Sequence, residues 1–239
     1  MQHQEHPGFT FKQFHIAHDG CAMKVGTDGI LLGAWSHLED ACRILDIGCG
    51  SGLITLMAAQ RSASNTTVEG IDIDADAVSQ AALNASFCPW YERLLIHHCE
   101  LSEFEGGPFS HQLSNPPYFV PGQHFSDPRR AVARHTQTLS HIELLEHSAR
   151  LATADGQLSL ILPTDAAYRL IGKSASTGWY LKRCCEVATN AKSPQIQRVL
   201  LTFSRQNGTC LSEQLSIYQS PGVYSRAFEQ ICRDFYLKM

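Results

Sequence analysis

The hydrophobic pattern of the first half of the chain predicts strands that alternate with helices. Residues 43–48 form a short apolar run that stops at a glycine, which is typical of a buried strand, and residues 53–61 are strong helix formers. A second strand is expected at 67–72, a helix with one apolar face at 75–86, and a third strand at 93–97. This order predicts a parallel sheet covered by helices, and therefore an α/β fold.

The second half continues the alternation. Apolar residues with helical spacing occur at 139–152 and 164–176, and strands are expected at 157–163, 180–188 and 198–203. No internal repeat, low-complexity tract or linker interrupts the pattern. We therefore predict a single domain over residues 1–239. Its three parts are an N-terminal lead-in (1–42), a core (43–205) and a C-terminal extension (206–239).

The composition is that of a globular protein, with 239 residues, 44% hydrophobic and 18% charged. The N-terminus lacks a basic segment followed by an apolar one, and no run approaches the roughly 18 apolar residues of a membrane span. The nine cysteines include no C-x-x-C pair and no spacing suited to zinc. We expect a cytoplasmic monomer with reduced cysteines, no metal and no membrane contact.

A glycine-rich segment, Asp46-Ile-Gly-Cys-Gly-Ser-Gly, follows the first predicted strand. At such a junction Gly48, Gly50 and Gly52 allow ligand atoms to approach the backbone. Asp72 ends the next strand, where a carboxylate can accept hydrogen bonds from ribose hydroxyls. The spacing G-x-G-x-G differs from the dinucleotide pattern G-x-G-x-x-G. The segment predicts a nucleoside-containing ligand; the alternative is a tight turn that binds nothing.

With an acid two residues ahead of its first glycine, this segment resembles motif I of the class I S-adenosylmethionine-dependent methyltransferases. The resemblance implies S-adenosylmethionine as cofactor, with Asp46 near its methionine end and Asp72 at its ribose. It also implies a Rossmann-like fold with a seven-stranded, mostly parallel sheet and helices on both faces. Glu100 stands just past the third strand, where this family usually carries an acidic or amide group that faces the adenine amino group of the cofactor. The alternative for Glu100 is a solvated acid in a loop.

Lys24 and Asp28 precede motif I, where the related fold closes over the cofactor, so the same resemblance makes them candidate cofactor-binding residues. A plain N-terminal turn is the alternative for both.

The motif Asn115-Pro-Pro-Tyr stands where the fourth strand should end. An exocyclic or amide nitrogen is a poor nucleophile because its lone pair is delocalised, and two acceptors on its N–H groups would favour a pyramidal geometry. Asn115 offers a side-chain carbonyl, Pro116 a backbone carbonyl, and Tyr118 a ring on which a base can stack. The motif predicts methyl transfer to such a nitrogen; the alternative is that two prolines merely end a strand. The polar residues 109–114 leave the fourth strand poorly defined.

Among methyltransferases this motif serves adenine N6 in DNA, adenine N6 in RNA and a glutamine amide in release factors. Only about 45 residues precede Asp46, fewer than the glutamine enzymes need for their helical N-terminal domain, and no DNA-recognition domain is evident. Nearly the whole chain resembles the family of bacterial tRNA (adenine-37 N6)-methyltransferases that act on a valine tRNA. The segments that carry this resemblance are 11–16, 21–35, 89–90, 115–119, 133–136, 139–141 and 234–239.

That resemblance implies tRNA as the partner and N6 methylation of an anticodon-loop adenine as the reaction. A single-stranded anticodon loop is a suitable substrate for this reaction, because splayed bases are the usual targets of sequence-specific RNA recognition. The alternatives are a protein glutamine N5-methyltransferase and a non-catalytic cofactor-binding partner protein. The non-catalytic alternative predicts a damaged motif, whereas both motifs are whole.

The net charge of −4 argues against a nucleic-acid partner, but the charge is unevenly distributed. Residues 1–120 hold 5 basic and 14 acidic side chains, whereas residues 121–205 hold 11 basic and 6 acidic ones. A basic face that is merely solvated would give the same charge distribution. For Arg134 and His135, the alternative to RNA binding is helix capping or pairing with other charges at the surface. The candidate contacts to RNA phosphates are Arg129, Arg130, Arg134 and His135.

Overall fold

The computed structural model describes residues 7–18, 25–117 and 140–239, and within them it contains eleven strands and six α-helices. The strands are β1 (Gly8–Thr10), β2 (His15–Ala17), β3 (Arg43–Ile47), β4 (Thr67–Asp72), β5 (Leu94–His98), β6 (Phe109–Ser114), β7 (Ala152–Pro163), β8 (Tyr180–Asn190), β9 (Ser193–Ser204), β10 (Leu211–Ser220) and β11 (Val223–Tyr224). The helices are α1 (Thr27–Trp35), α2 (Leu53–Arg61), α3 (Ala75–Ser86), α4 (His141–Leu151), α5 (Thr164–Ser174) and α6 (Arg226–Cys232).

Nine of these strands form one sheet in the order β11-β10-β8-β9-β7-β6-β3-β4-β5. Strands β3 to β7 pair in parallel, whereas β9 runs antiparallel to both β7 and β8. The predicted α/β class with a mostly parallel sheet is confirmed. The count of seven holds for residues 43–204 but not for the whole sheet, because the C-terminal extension adds β10 beside β8 and β11 beside β10.

Helices cover both faces of the sheet, as predicted. Neighbouring residues of a strand point to opposite faces, and Ile44 and Leu45 of β3 accordingly belong to two different hydrophobic cores. The core that contains Ile44 includes residues of α1, α2, α3 and α6, and the core that contains Leu45 includes residues of α4 and α5. The sheet is therefore a central layer between two helical layers.

Strand β6 lies in the middle of the sheet although its sequence is polar. His111 and Ser159 of β7 form a 2.9 Å hydrogen bond, and the Gln112 amide donates to the carbonyl oxygen of Ser148 at 2.8 Å. Ser114 Oγ donates to the carbonyl oxygen of Ile47 at 2.8 Å. Partners within the sheet and α4 thus bind most of these buried groups, although Gln112 Oε1 has no hydrogen-bond partner among the described residues. These bonds are why a strand with so little apolar character is tolerated there.

The N-terminal hairpin meets the C-terminal segment beside the sheet. The hairpin of β1 and β2 carries Phe11 and Phe14, whose rings stack with centroids 4.6 Å apart, and Tyr236 meets Phe11 edge-on at 6.3 Å. The backbone N–H of Lys12 donates to the carbonyl oxygen of Phe235 at 2.8 Å. This cluster holds the N-terminal lead-in against the end of the chain.

Candidate active site

The glycine loop between β3 and α2 has a backbone conformation that favours glycine. Gly48, Gly50 and Gly52 have φ angles of 72°, 54° and 84°, which L-residues with a side chain rarely adopt. A Cβ at Gly48 or Gly50 would meet no atom within 4 Å, whereas one at Gly52 would lie 3.3 Å from Ala81 Cβ on α3. The first two glycines therefore leave open space for a ligand, and the third permits the loop to pack on α3.

Asp72 at the end of β4 supports this loop directly. Its Oδ2 accepts a hydrogen bond from the backbone N–H of Gly50 at 2.9 Å, and its Oδ1 accepts one from that of Asp74 at 3.0 Å. A carboxylate has about four acceptor positions, so both oxygens keep capacity for ribose hydroxyls. The structure therefore places Asp72 beside the glycine loop, and its contact with the ribose stays a prediction.

Asp46 on β3 is fully buried beneath the loop. Thr55 Oγ1 donates to its Oδ2 at 2.6 Å, and its Oδ1 has no hydrogen-bond partner among the described residues. Burial raises the pKa of this carboxyl to about 7, the charge of Asp72 adds to the increase, and the hydrogen bonds from Thr55 oppose it. A buried acceptor without a partner is costly, and a cationic donor would satisfy it.

Asn115 lies at the same edge of the sheet, directly after β6. Ser114 and Ile47 are register partners, so Asn115 stands next to the start of the glycine loop. Its Oδ1 is buried and has no hydrogen-bond partner among the described residues, and Pro116 is buried as well. An unpaired amide oxygen at this place suits a substrate N–H donor.

Glu100 follows β5 on the far side of Asp72. The backbone N–H of Cys99 donates to the carbonyl oxygen of Asp72 at 3.1 Å, and Glu100 begins a turn in which its carbonyl oxygen accepts from Glu103 and Phe104. The Glu100 side chain is partly exposed at this rim. Its role toward the adenine amino group stays a prediction.

Asp28, in the first turn of α1, forms an ion pair with Arg198 of β9, with Oδ2 and Nε 2.7 Å apart. Arg198 is the register partner of Pro163, so this pair holds the start of α1 at the edge where β7 ends. The predicted contact of Asp28 with the cofactor stays a prediction.

The remaining candidates lie outside the described residues. They are Lys24, Tyr118, Arg129, Arg130, Arg134 and His135.

Three further residues shape the site although the sequence analysis did not single them out. Thr55 holds Asp46, as described above, and no sequence signal distinguishes it. A Cβ at Gly70, inside β4, would lie 3.0 Å from Cys49 Cβ, and a glycine inside a strand is a known sign of such close approach. Ile73 is 56% exposed directly after Asp72, where an apolar side chain can cover one face of a base.

Within the described ranges, no group of three or more His, Cys, Asp or Glu side chains could hold a metal ion. No helix in the same ranges combines the length and apolar character needed to cross a membrane.

The residues of the site fit S-adenosylmethionine, the cofactor that the sequence resemblance implies. Open space lies above Gly48 and Gly50, and the Asp72 carboxylate beside the loop has acceptor capacity left for ribose hydroxyls. Asp46 has an unpaired buried oxygen that a cationic amino group would satisfy. The side-chain oxygen of Asn115 lies at the same edge of the sheet, where it can accept a hydrogen bond from the nitrogen that receives the methyl group.

Comparison with solved structures supports the fold. A predicted O-methyltransferase from Agrobacterium tumefaciens superposes with a TM-score of 0.65 at 16% identity, covering 87% of this chain and 96% of that one. A putative RNA methyltransferase from Pyrococcus horikoshii superposes with a TM-score of 0.51 at 16% identity, covering 74% and 80%. At such identities the likeness concerns the fold alone.

Sequence comparison is more specific. Residues 26–174 match the family described as methyltransferase small domain. A protein of Yersinia pestis (strain Pestoides F) named tRNA1(Val) (adenine(37)-N6)-methyltransferase is 44% identical over 233 residues, covering 96% of this chain and 94% of its own. A relative of the same name from Yersinia pseudotuberculosis serotype O:3 (strain YPIII) is also 44% identical, covering 96% and 92%. This chain belongs to the methyltransferase small domain family and, within it, to the family of the tRNA1(Val) (adenine(37)-N6)-methyltransferases.

Proposed function

We propose that this protein transfers the methyl group of S-adenosylmethionine to the exocyclic N6 of adenine 37 in a valine tRNA. The observation that carries the chemistry is the Asn115 Oδ1 atom, which is buried and unpaired among the described residues at the edge that also holds the glycine loop. The 44% identity with relatives named for this reaction supports the substrate.

The glycine loop and the two aspartates hold the donor. Asp72 fixes the loop through Gly50 and offers remaining acceptor capacity to the ribose. Asp46 faces the methionine end, where a cationic amino group satisfies its unpaired oxygen. When bound, S-adenosylmethionine supplies an electrophilic methyl group on a sulfonium centre.

Asn115 and Pro116 act on the nucleophile. The side-chain oxygen of Asn115 and the backbone oxygen of Pro116 accept the two N–H groups of the adenine N6, which favours a pyramidal nitrogen and directs its lone pair. With the cofactor bound, this lone pair would displace the sulfur from the methyl carbon, and N6 would then release one proton to solvent. Positioning supplies most of the acceleration, because the methyl group already has a good leaving group.

Tyr118 supplies a stacking surface for the adenine, and the arginines that follow the motif contact the RNA backbone. An anticodon-loop base is reached without breaking a helix, so bringing it to the site costs little. We further propose that the enzyme acts in the cytoplasm, where tRNA is found, as a monomer and without a metal.

Incubation with methyl-labelled S-adenosylmethionine and either total tRNA or a release factor tests this proposal. We expect label in tRNA and none in the release factor. Label in protein alone would identify a glutamine methyltransferase, and cofactor binding without label in either would identify a non-catalytic partner protein. Asn115→Ala, which lacks the acceptor oxygen, should bind cofactor normally and leave tRNA unlabelled.

A further inference from the structure

Asn84 on α3 connects three separate parts of the chain through one buried side chain that is 4% exposed. Its Oδ1 accepts from the backbone N–H of Ala17 at 3.1 Å and from Gln80 Nε2 at 3.4 Å. Its Nδ2 donates to the carbonyl oxygen of Ala17 at 2.9 Å and to that of Ser51 at 2.8 Å. Both donors of the amide are in use.

The segments that Asn84 joins are the N-terminal hairpin and the glycine loop. Ala17 ends β2, and the side chain of Asn84 pairs with both of its backbone groups, as a neighbouring strand would. Ser51 lies between Gly50 and Gly52, two residues with positive φ, and is itself buried. One amide group thus fixes the end of the hairpin and the loop to the same point of α3.

We propose that Asn84 is a positioning residue for the cofactor loop and that it makes the N-terminal hairpin part of the cofactor site. This inference rests on the proposed use of S-adenosylmethionine. A glycine-rich loop has much conformational freedom to lose when it binds a ligand. A hydrogen bond that holds Ser51 in advance reduces that loss and therefore raises affinity.

Coupling between two sites is reciprocal. If the hairpin supports the loop, then cofactor bound at the loop stabilises the hairpin. The effect should be visible at the backbone amide of Ala17, which donates to Asn84.

The variant Asn84→Asp tests the bond without changing the size of the side chain. The carboxylate still accepts from Ala17 N–H but has no donor for the carbonyl oxygens of Ala17 and Ser51. We expect the Kd for S-adenosylmethionine, measured by calorimetry, to rise roughly three- to tenfold, the loss typical of one ordinary hydrogen bond. The kcat at saturating cofactor and the KM for tRNA should change less than about twofold, because Asn84 touches neither reacting group.

Ser86→Ala is the matched control, because Ser86 lies two residues further along the same helix, is exposed, and donates only to Leu83 of that helix. It should leave the Kd unchanged. A folded Asn84→Asp protein with the wild-type Kd would overturn the proposal.

Hydrogen exchange on the wild-type protein gives a second test that needs no variant. Adding S-adenosylmethionine should slow exchange at the Ala17 amide, and an unchanged rate at full saturation would overturn the proposal. Neither measurement contains RNA, so a failure of the tRNA assignment leaves both results interpretable. Absence of cofactor binding in the wild type would instead overturn the proposed function and this inference with it.

Discussion

Thr55 Oγ1 lies 2.6 Å from Asp46 Oδ2 and donates a hydrogen bond to it across the base of the glycine loop. Asp46 comes from β3 and Thr55 from α2, so this bond ties together the two elements that the loop connects. It also stabilises the ionised form of a carboxyl that burial otherwise keeps protonated. The protonation of Asp46 is therefore sensitive to both the loop and its ligand.

We predict that the affinity for S-adenosylmethionine rises with pH up to about 7 and then levels off. Burial raises the pKa of Asp46 to about 7 in the free protein, and a cationic amino group beside it favours the ionised form. Below that pKa, binding must release a proton, so affinity falls as the solution becomes more acidic. Calorimetry between about pH 5.5 and 8 measures this, and a constant affinity below pH 7 would contradict it.

Two variants of Thr55 test whether the pKa of Asp46 sets the pH dependence of the affinity. Thr55→Val removes the hydroxyl, so the pKa of Asp46 should rise and affinity should level off at a higher pH than in the wild type. Thr55→Ser keeps the hydroxyl and should preserve the wild-type profile.

The effect of pH on the stability of the free protein has the opposite direction. The folded pKa of Asp46 lies above its ordinary value of 3.8, so the folded state binds the proton more tightly than the unfolded state does. The Asp46 contribution to the free energy of unfolding should fall as pH rises from about 4 to 7 and stay constant above that. Asp46→Asn should remove this contribution, which denaturant titration at several pH values measures.

Gly50→Ala should prevent cofactor binding by placing a methyl group in the open space above the loop. The positive φ of Gly50 also costs about 1 kcal/mol for any other residue. Gly222, in the turn between β10 and β11, has a φ of 76° and equally open space, so Gly222→Ala carries a similar strain away from the site. We expect both variants to lose similar stability, whereas only Gly50→Ala should lose affinity; equal affinities would contradict the assignment.

Glu213→Ala should lower the free energy of unfolding by about 1–3 kcal/mol, the cost of leaving a buried polar group without its partner. Glu213 on β10 accepts from Trp35 Nε1 at 2.8 Å and pairs with Arg183 Nη2 at 3.0 Å, and the Arg183 guanidinium stacks on the Trp35 ring at 4.1 Å. Removing Glu213 leaves the Arg183 charge, which is 9% exposed, without its partner. The control Glu229→Ala changes an exposed side chain on α6 and should have little effect.

The same experiment tests the proposal that the chain folds as one domain. Because β10 joins the central sheet through β8, we expect one cooperative transition that shifts as a whole in Glu213→Ala. A separate early transition for the C-terminal extension would contradict a single domain.

The affinity for tRNA should fall steeply with salt if Arg129, Arg130 and Arg134 bind phosphates. Removing one arginine–phosphate interaction should reduce the slope of log K against log salt by about 0.7–0.9. Replacing all three arginines with alanine should therefore flatten the dependence, while the Kd for S-adenosylmethionine stays unchanged. A salt dependence equal to that of the wild type would show that these residues do not bind the RNA backbone.

Local patterns were sufficient to predict the alternating strands and helices of residues 43–98, but not β1, β2 and α1 of the N-terminal lead-in. The strand at 67–72 and the helices at 53–61 and 75–86 have the predicted boundaries, because a glycine or an aspartate marks one end of each. Gly52 precedes the first helix, Asp74 caps the second, and Asp72 ends the strand. The closing strands are longer than predicted, since β8 reaches Asn190 and β9 begins at Ser193. The ends of β8 and β9 that were not predicted are polar and pair with each other in a hairpin, so no run of apolar residues marks them as strand.

Tertiary partners explain what the sequence could not predict. Strand β6 can be polar in the middle of the sheet because its side chains find hydrogen-bond partners on β3, β7 and α4. No local sequence pattern reveals these partners. The place of β10 depends on a parallel pairing with a strand more than 20 residues away. In the site, the motifs indicated Asp46, Asp72 and Asn115, whereas Thr55 and Asn84 act through contacts that no spacing indicates.

The most direct measurement of the central claim uses two transcripts of the valine tRNA, one with adenine and one with guanine at position 37. Guanine carries an oxygen where adenine carries N6, so it offers no acceptor nitrogen at that place. With labelled S-adenosylmethionine, the wild-type protein should form one N6-methyladenosine per adenine-37 transcript and leave the guanine-37 transcript unlabelled, and Asn115→Ala should label neither. Equal labelling of both transcripts, or full activity of Asn115→Ala, would contradict the account.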